Sequence, residues 1–203
     1  MRSVYILLAR TETIFSKAIH AATGDPYTHS SLALDRELTQ MYSFARRWKR
    51  LPCFGGFIRE RVDRGIYGEN PHAPCALYEL SVSEEAYARL SVCVGDLYAQ
   101  RFRWRYNYLG AAANFWGKSR RGKRSRFCSE FVAQALLDAG AIPKCPESQP
   151  FLDPARVRPS MFAQFPGAKC VYKGNLRELS QCIAPQPADF FAHTCRPTPQ
   201  LQR

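Results

Sequence analysis

The chain has 203 residues, of which 46% are hydrophobic and 23% are charged. That balance is typical of a globular protein with one sizeable core and excludes disordered, collagen-like and coiled-coil chains. With 29 Lys and Arg residues against 17 Asp and Glu residues, the net charge is +12, which predicts an anionic partner such as nucleic acid, an acidic polymer or a phospholipid surface.

The first predicted element is a strand. Residues 4–8 form a continuous apolar run, typical of a strand that is buried on both faces. The run is too short to span a membrane, and Arg10 closes it without the small-residue cleavage site of a signal peptide. We therefore expect a soluble, cytoplasmic protein with no transmembrane segment. In that compartment most of the eight cysteines are expected to be reduced and buried rather than paired.

A helix and three strands are predicted next. Apolar residues at three- and four-residue spacing indicate a helix that begins after Thr11 and ends at Gly24. Residues 28–34 and 40–45 are predicted to form two strands of a hairpin, joined by a tight connection. Residues 75–82 are predicted to form a further strand.

The second half of the chain is predicted to hold two helices. Ser81 and Glu84 fit the capping box Ser-x-x-Glu, and the apolar stripe behind them continues to about Phe102. Another helix is predicted over residues 127–139, with Gly140 as its C-terminal cap. Residues 170–173 are a short strand candidate.

Two loops and a tail complete the prediction. Residues 46–74 are expected to form a loop beside a cleft. A basic loop, residues 118–126, carries six positive charges within nine residues. Four prolines among polar residues predict a flexible tail over residues 183–203, so residues 1–182 are expected to form a single domain.

Cys128 is the first candidate for chemistry. It lies in the first turn of a predicted helix, where unpaired backbone N–H groups and the helix dipole stabilise a thiolate. The basic loop just before it favours the thiolate as well. Cys128 shares a helix face with Val132 and Leu136, so it points towards the core. That position fits a nucleophile facing its base, and it equally fits a buried structural cysteine.

His29 is the candidate base. It lies at the start of a predicted strand, directly after a turn, and small residues follow it on the same strand face. A Cys–His pair needs a third polar group that orients the imidazole. The hairpin is expected to place residues 42–44 opposite His29, and Ser43 is the polar member of that set, with Tyr42 as the alternative.

Two segments of the chain resemble a known family. Asp-Pro-Tyr-Thr-His-Ser-Ser-Leu-Ala-Leu-Asp at residues 25–35 and Phe-Cys-Ser-Glu-Phe-Val-Ala at residues 127–133 are similar to the motifs of the circularly permuted papain-like cysteine hydrolases. These are relatives of the NlpC-type peptidases and include the YiiX-like proteins and lecithin retinol acyltransferase. Here His precedes Cys, whereas unpermuted papain-like enzymes place the Cys helix first. Further matches lie at residues 41–44, 106–110 and 171–174.

The resemblance implies an α+β fold of the permuted papain-like (NlpC) type, with a small antiparallel β-barrel or sheet packed against the helix that bears the nucleophile. It implies Cys128 as the nucleophile, His29 as the base and Ser43 as the orienting residue, although relatives often have His, Glu, Asn or Gln at the third position. The implied activity is that of a cysteine-dependent hydrolase or acyltransferase acting on an amide, ester or thioester of a cell-wall peptide or lipid. No metal, nucleotide or flavin motif is present in the sequence, so no cofactor is expected.

Two other functions remain open at this point. A papain-like fold without catalysis would serve as a binding module, and a hydroxyl as the third residue favours this alternative because it orients an imidazole weakly. A basic protein could instead bind an anionic polymer through the basic loop and the cluster at residues 46–50. Nucleic acid is the less favoured partner because no nucleic-acid motif accompanies these charges. An anionic peptide or lipid substrate is expected instead.

Overall fold

The computed structural model describes residues 1–12, 14–47, 54–115, 118 and 120–183. The fold is mixed α+β. Its strands are β1 (Arg2–Ala9), β2 (His29–Ala33), β3 (Met41–Arg46), β4 (Gly55–Glu60), β5 (Pro74–Val82), β6 (Arg105–Tyr106), β7 (Ser125–Arg126) and β8 (Ala168–Asn175). Its α-helices are α1 (Ile14–Thr23), α2 (Gly65–Gly68), α3 (Glu84–Ala99), α4 (Tyr108–Phe115), α5 (Cys128–Asp138) and α6 (Leu176–Ile183).

Six strands form one antiparallel sheet in the order β4-β3-β2-β1-β5-β8. The short strands β6 and β7 pair with each other in parallel. Strand β1 is paired along both edges, with β2 and β5, and both of its faces are buried. Val4, Ile6 and Leu8 belong to one core cluster, and Tyr5 and Leu7 belong to the other. This confirms the strand that the apolar run predicted.

Helices cover both faces of the sheet. The larger core joins one face to α3 and α5, whose apolar stripes are buried against it. The smaller core joins the other face to Tyr67 of α2 and to Leu176 and Leu179 of α6. Helix α5 packs directly on β2 and β3. Its first residue, Cys128, therefore lies near the end of β2 where His29 begins the strand.

Most predicted elements are confirmed, including the caps at two glycines. Gly24 and Gly140 follow α1 and α5 with φ angles of 67° and 69°, in the left-handed region where glycine is unstrained. The capping residue of α3 was predicted wrongly. Ser83, and not Ser81, accepts the hydrogen bond from the Ala86 N–H, because β5 continues as far as Val82. Helix α3 also ends at Ala99, before a short 3₁₀ turn, rather than near Phe102.

The prediction of a loop over residues 46–74 is wrong in part. This stretch contains strand β4 and the one-turn helix α2. Strand β4 was missed because two glycines begin it and only Phe57 and Ile58 are apolar, which gives a weak period-2 pattern. The strand forms because it pairs along the whole of β3 and buries Phe57 in the larger core.

Two other predictions concern residues that lie largely outside the described ranges. The predicted tail lies outside them except for Ile183, which ends α6. The basic cluster at residues 46–50 is described only at Arg46 and Arg47.

Within the described ranges, no helix is long and apolar enough to cross a membrane. The six cysteines described form no disulfide with one another, but only Cys75 and Cys128 are buried, so the expectation that most are buried is wrong for this part of the chain.

Candidate active site

A buried ion pair joins the end of one strand to the start of another. His29 is the first residue of β2, and Glu60 is the last residue of β4. The Nε2 atom of His29 lies 3.0 Å from the Oε1 atom of Glu60, and both side chains are almost fully buried. Strand β3 lies between these two strands and sets their alignment through its pairing with each. The base that the sequence predicts is therefore held by a carboxylate.

The Glu60 carboxylate is surrounded by donors. The Ser43 hydroxyl donates to Oε1 at 2.6 Å, and the Ser31 hydroxyl donates to Oε2 at 2.9 Å. Burial alone would raise the pKa of the Glu60 carboxyl, but the charge of His29 and these hydrogen bonds outweigh burial and lower the pKa. The Tyr67 hydroxyl, 2.7 Å from Ser31 Oγ, extends the network into the smaller core. Glu60 is therefore a charged residue in the interior.

Ser43 reaches the site by a different route from the one predicted. Its Oγ atom lies 3.4 Å from His29 Nε2, farther than the Glu60 oxygen. In the pairing of β2 with β3, Leu32 lies opposite Tyr42, and the same register places Ser43 opposite Ser31 rather than His29. Tyr42 faces the other side of the sheet, where its ring stacks on Phe57. Ser43 thus contacts both members of the His29–Glu60 pair.

Cys128 lies at the start of α5 and faces His29. Its thiol hydrogen-bonds with the His29 side chain and with the backbone N–H groups of Ser30 and Ser129. Burial would raise the pKa of the Cys128 thiol, but these hydrogen bonds and the charge of His29 outweigh it, so the pKa is lowered.

The His29 imidazole is held in its charged form. Burial would lower its pKa, but the negative charge of Glu60 and the interactions with Cys128 raise the pKa of His29 to about 10. Because the pKa of Cys128 is lowered at the same time, both shifts favour the thiolate–imidazolium pair over the neutral pair. Such a thiolate is a nucleophile that needs no further activation.

Cys128 lines a small cleft at the protein surface. Tyr106 of β6 lines the same cleft and makes a side-chain hydrogen bond with Cys128. Burial and the charge of Cys128 raise the pKa of the Tyr106 phenol, so it remains a donor. Other polar and charged residues that line the cleft are Asp25, Thr28, Asn114, Ser129 and Arg158.

Close contacts fix the position of Tyr106. A Cβ atom at Gly55 would lie 2.6 Å from the Cβ of Tyr106 and 3.0 Å from the Ala45 carbonyl oxygen. Only glycine at position 55 lets β6 approach β4 this closely. On the other side, Tyr106 is paired with Arg126 of β7, just before α5. The phenol is therefore positioned by the strands that flank the nucleophile.

Glu130 fixes the start of the Cys128 helix. Its Oε2 atom accepts a hydrogen bond of 3.2 Å from the N–H of Phe127, the residue that caps α5. Burial raises the pKa of the Glu130 carboxyl, while Arg126 and Arg121 act in the opposite direction. The basic loop thus acts electrostatically on Glu130. The pKa of the thiol is lowered by contacts at the helix start and by His29.

Glu60, Tyr106 and Arg158 are the site residues that sequence reasoning did not identify. Glu60 fell within the predicted loop at residues 46–74, and its only signal was a carboxylate at the end of the apolar pair Phe57-Ile58. Tyr106 belonged to a matched segment but had no assigned role. Arg158 had no local signal, because only the fold brings its loop to the cleft. In the described part of the chain, no group of three or more His, Cys, Asp or Glu residues could hold a metal ion.

Comparison with known proteins adds no assignment. No family model matches the chain, and no curated protein matches it. The resemblance to the permuted papain-like hydrolases therefore rests on the motifs around His29 and Cys128. The chemistry of the site is argued below from the geometry of its own residues.

Proposed function

We propose that this protein is a cysteine-dependent hydrolase or acyltransferase that acts on an amide, ester or thioester carbonyl. The buried chain of contacts from Cys128 through His29 to Glu60 carries the proposal. Burying three ionisable side chains together costs stability unless they are paired. Perturbed pKa values of this kind, next to a cleft, are typical of catalytic sites.

The reaction would proceed by nucleophilic acyl transfer. The Cys128 thiolate attacks the carbonyl carbon and forms a tetrahedral intermediate. The His29 imidazolium then donates its proton to the leaving amine, alcohol or thiol as the C–N, C–O or C–S bond breaks. The acyl group remains on the sulfur as a thioester. Water, or an acceptor alcohol or amine, gives a proton to His29 and releases the acyl group, which restores the thiolate–imidazolium pair.

Two donors are available for the oxyanion of the intermediate. The N–H of Cys128 belongs to the first turn of α5, where backbone N–H groups have no partner within the helix. The Tyr106 hydroxyl, already hydrogen-bonded with the thiol, borders the same cleft. Each donor aimed at a developing oxyanion typically lowers the barrier by about 3–4 kcal/mol.

The proposal extends to fold type and setting. We infer that the sheet and α5 form a permuted papain-like fold, with Glu60 in the orienting role that was predicted for Ser43. Ser43 supports this role through its hydrogen bond to Glu60. An anionic peptide or lipid fits the net charge of +12. Because the nucleophile must stay reduced, a reducing compartment such as the cytoplasm is expected.

The pH dependence of Cys128 alkylation by iodoacetamide tests the proposal. The wild-type protein and the His29→Ala variant are alkylated over a pH series, and each site is quantified by peptide mass spectrometry. The other seven cysteines serve as internal controls. Cys128 is expected to react well below pH 7, ahead of the others, and to lose that lead in His29→Ala.

The same experiment separates catalysis from simple binding. A binding module without catalysis, or a protein that only binds anionic polymers, has no need of an activated thiol. If Cys128 reacts like an ordinary cysteine, the catalytic proposal is refuted. If it reacts early, turnover of paired amide, ester and thioester substrates then identifies the bond that is cleaved.

A further inference from the structure

An ion pair lies in the cleft beside the nucleophile. The Nη1 atom of Arg158 is 3.2 Å from the Oδ2 atom of Asp25, and both residues line the cleft that contains Cys128. Asp25 precedes β2 in the chain, and Arg158 precedes the 3₁₀ turn Pro159–Gln164. The pair therefore connects two separate loops across the cleft.

The two partners differ in how accessible they are. The side chain of Asp25 is 14% exposed, whereas that of Arg158 is 39% exposed. Asp25 is also fixed by its backbone, because its carbonyl accepts a hydrogen bond from the His20 ring and its N–H donates to the Thr23 hydroxyl. Asp25 is thus the more firmly held partner of the ion pair, and Arg158 is the more accessible one.

Arg158 keeps donors free for a ligand. A guanidinium has five N–H donors in a planar fork that matches a carboxylate. Asp25 is its only polar side-chain partner among the residues that the structure describes. The remaining donors are therefore available to an anionic group in the cleft.

We propose that Arg158 binds a carboxylate carried by the substrate next to the carbonyl that Cys128 attacks. This inference rests on the proposed function, and it adds the class of substrate. A monoanion fits best because Asp25 already balances one positive charge and would repel the second charge of a phosphate monoester. The substrate class is thus an acyl compound with a free carboxylate close to the scissile bond.

Two alkylating reagents of nearly the same shape test this subsite. Iodoacetate carries a carboxylate, and iodoacetamide carries a neutral amide in the same place. The ratio of their rates at Cys128 is measured in the wild-type protein and in Arg158→Met and Arg158→Lys. Arg156→Met is the matched control, because Arg156 pairs with Asp153 at 3.3 Å and does not line the cleft.

The rate ratio is expected to fall in Arg158→Met by about tenfold to a hundredfold, the loss typical of a hydrogen bond to a charged group. Arg158→Lys should give an intermediate ratio, because it keeps the charge and loses the fork. Arg156→Met should match the wild type. Acetate should slow the iodoacetate reaction more than inorganic phosphate does at equal ionic strength.

Each contrary result has a distinct meaning. An unchanged ratio in Arg158→Met, or an equal fall in Arg156→Met, refutes the subsite. Stronger protection by phosphate refutes the carboxylate and assigns a phosphate group instead. A fall in both rates together assigns Arg158 a structural role only. The iodoacetamide rate alone tests the activated thiol, and if that thiol proves ordinary, the ratio is still measurable near pH 9.

Discussion

Replacing Glu60 by Gln tests the site most directly, because it removes one charge and keeps the side chain's shape. Glu60 is the strongest of the influences that raise the pKa of His29, and it lies 3.0 Å from Nε2. Losing a charge-assisted hydrogen bond removes about 1.5–3 kcal/mol, which corresponds to about one to two pKa units. The His29 pKa should therefore fall from about 10 by about one to two units.

The assay is a pH titration of the His29 imidazole, followed by NMR. Because the titration midpoint reports the His29 pKa, Glu60→Gln should shift it downwards by about one to two pH units relative to the wild type. Glu12→Gln is the control, since Glu12 forms an exposed pair with Lys17. A His29 titration midpoint identical to the wild type in Glu60→Gln would refute the view that this carboxylate keeps the imidazole charged.

Three further predictions follow from the same geometry. Folding lowers the pKa of Glu60, so the ionised carboxylate contributes to stability above its ordinary pKa of 4.5. This contribution is lost as the pH falls through the pKa of the folded state. In urea titrations over an acid pH series, the free energy of unfolding should therefore fall more steeply for the wild type than for Glu60→Gln. If the Tyr106 phenol donates a hydrogen bond to the oxyanion, Tyr106→Phe should lower kcat on an activated ester by about 10²- to 10³-fold. The melting temperature should not change. An unchanged kcat would exclude this role. Gly55→Ala should lower the free energy of unfolding by about 1–3 kcal/mol, because the alanine Cβ would lie 2.6 Å from the Cβ of Tyr106. Thermal unfolding that matches the wild type would contradict the close approach of β6 to β4.

Local signals predicted the elements that carry Cys128 and His29. The apolar run of β1 and the helical period of α5 are properties of short windows, and each element was confirmed where it was expected. The position of Cys128 in a first helical turn follows from the same window. The mixed α+β class follows from the alternation of these elements. Proximity of His29 to Cys128 was expected from the family resemblance and from a helix packed on the sheet.

The partner of His29 could not be predicted in the same way. Glu60 reaches Nε2 only because β4 pairs with β3 in a register that places Glu60 opposite Met41. A register depends on contacts between strands and leaves little trace in either sequence. Strand β4 was itself hidden by Gly55 and Gly56 at its start. The hydroxyl of Ser43 was therefore the nearest polar group that the hairpin alone could offer.

Arg158 illustrates a second limit. It is separated from Asp25 by most of the chain, and their pairing depends on how the 3₁₀ turns after α5 pack against the sheet. Charged residues on loops have no period that would reveal which way they face. Sequence analysis could therefore predict an anionic partner from the net charge but not the residue that meets it.

The position of β4 at the edge of the large sheet makes the His29–Glu60 pair depend on a single line of strand pairing. Glu60 is the final residue of an edge strand that is held by one neighbour, β3. A chain in which β4 is not docked on β3 lacks the carboxylate that faces Nε2 of His29, and with it the strongest of the influences that raise the His29 pKa. The charge on His29 therefore depends on completion of the sheet, and a substitution that loosens the β3–β4 pairing should lower the His29 pKa even when both members of the ion pair are unchanged.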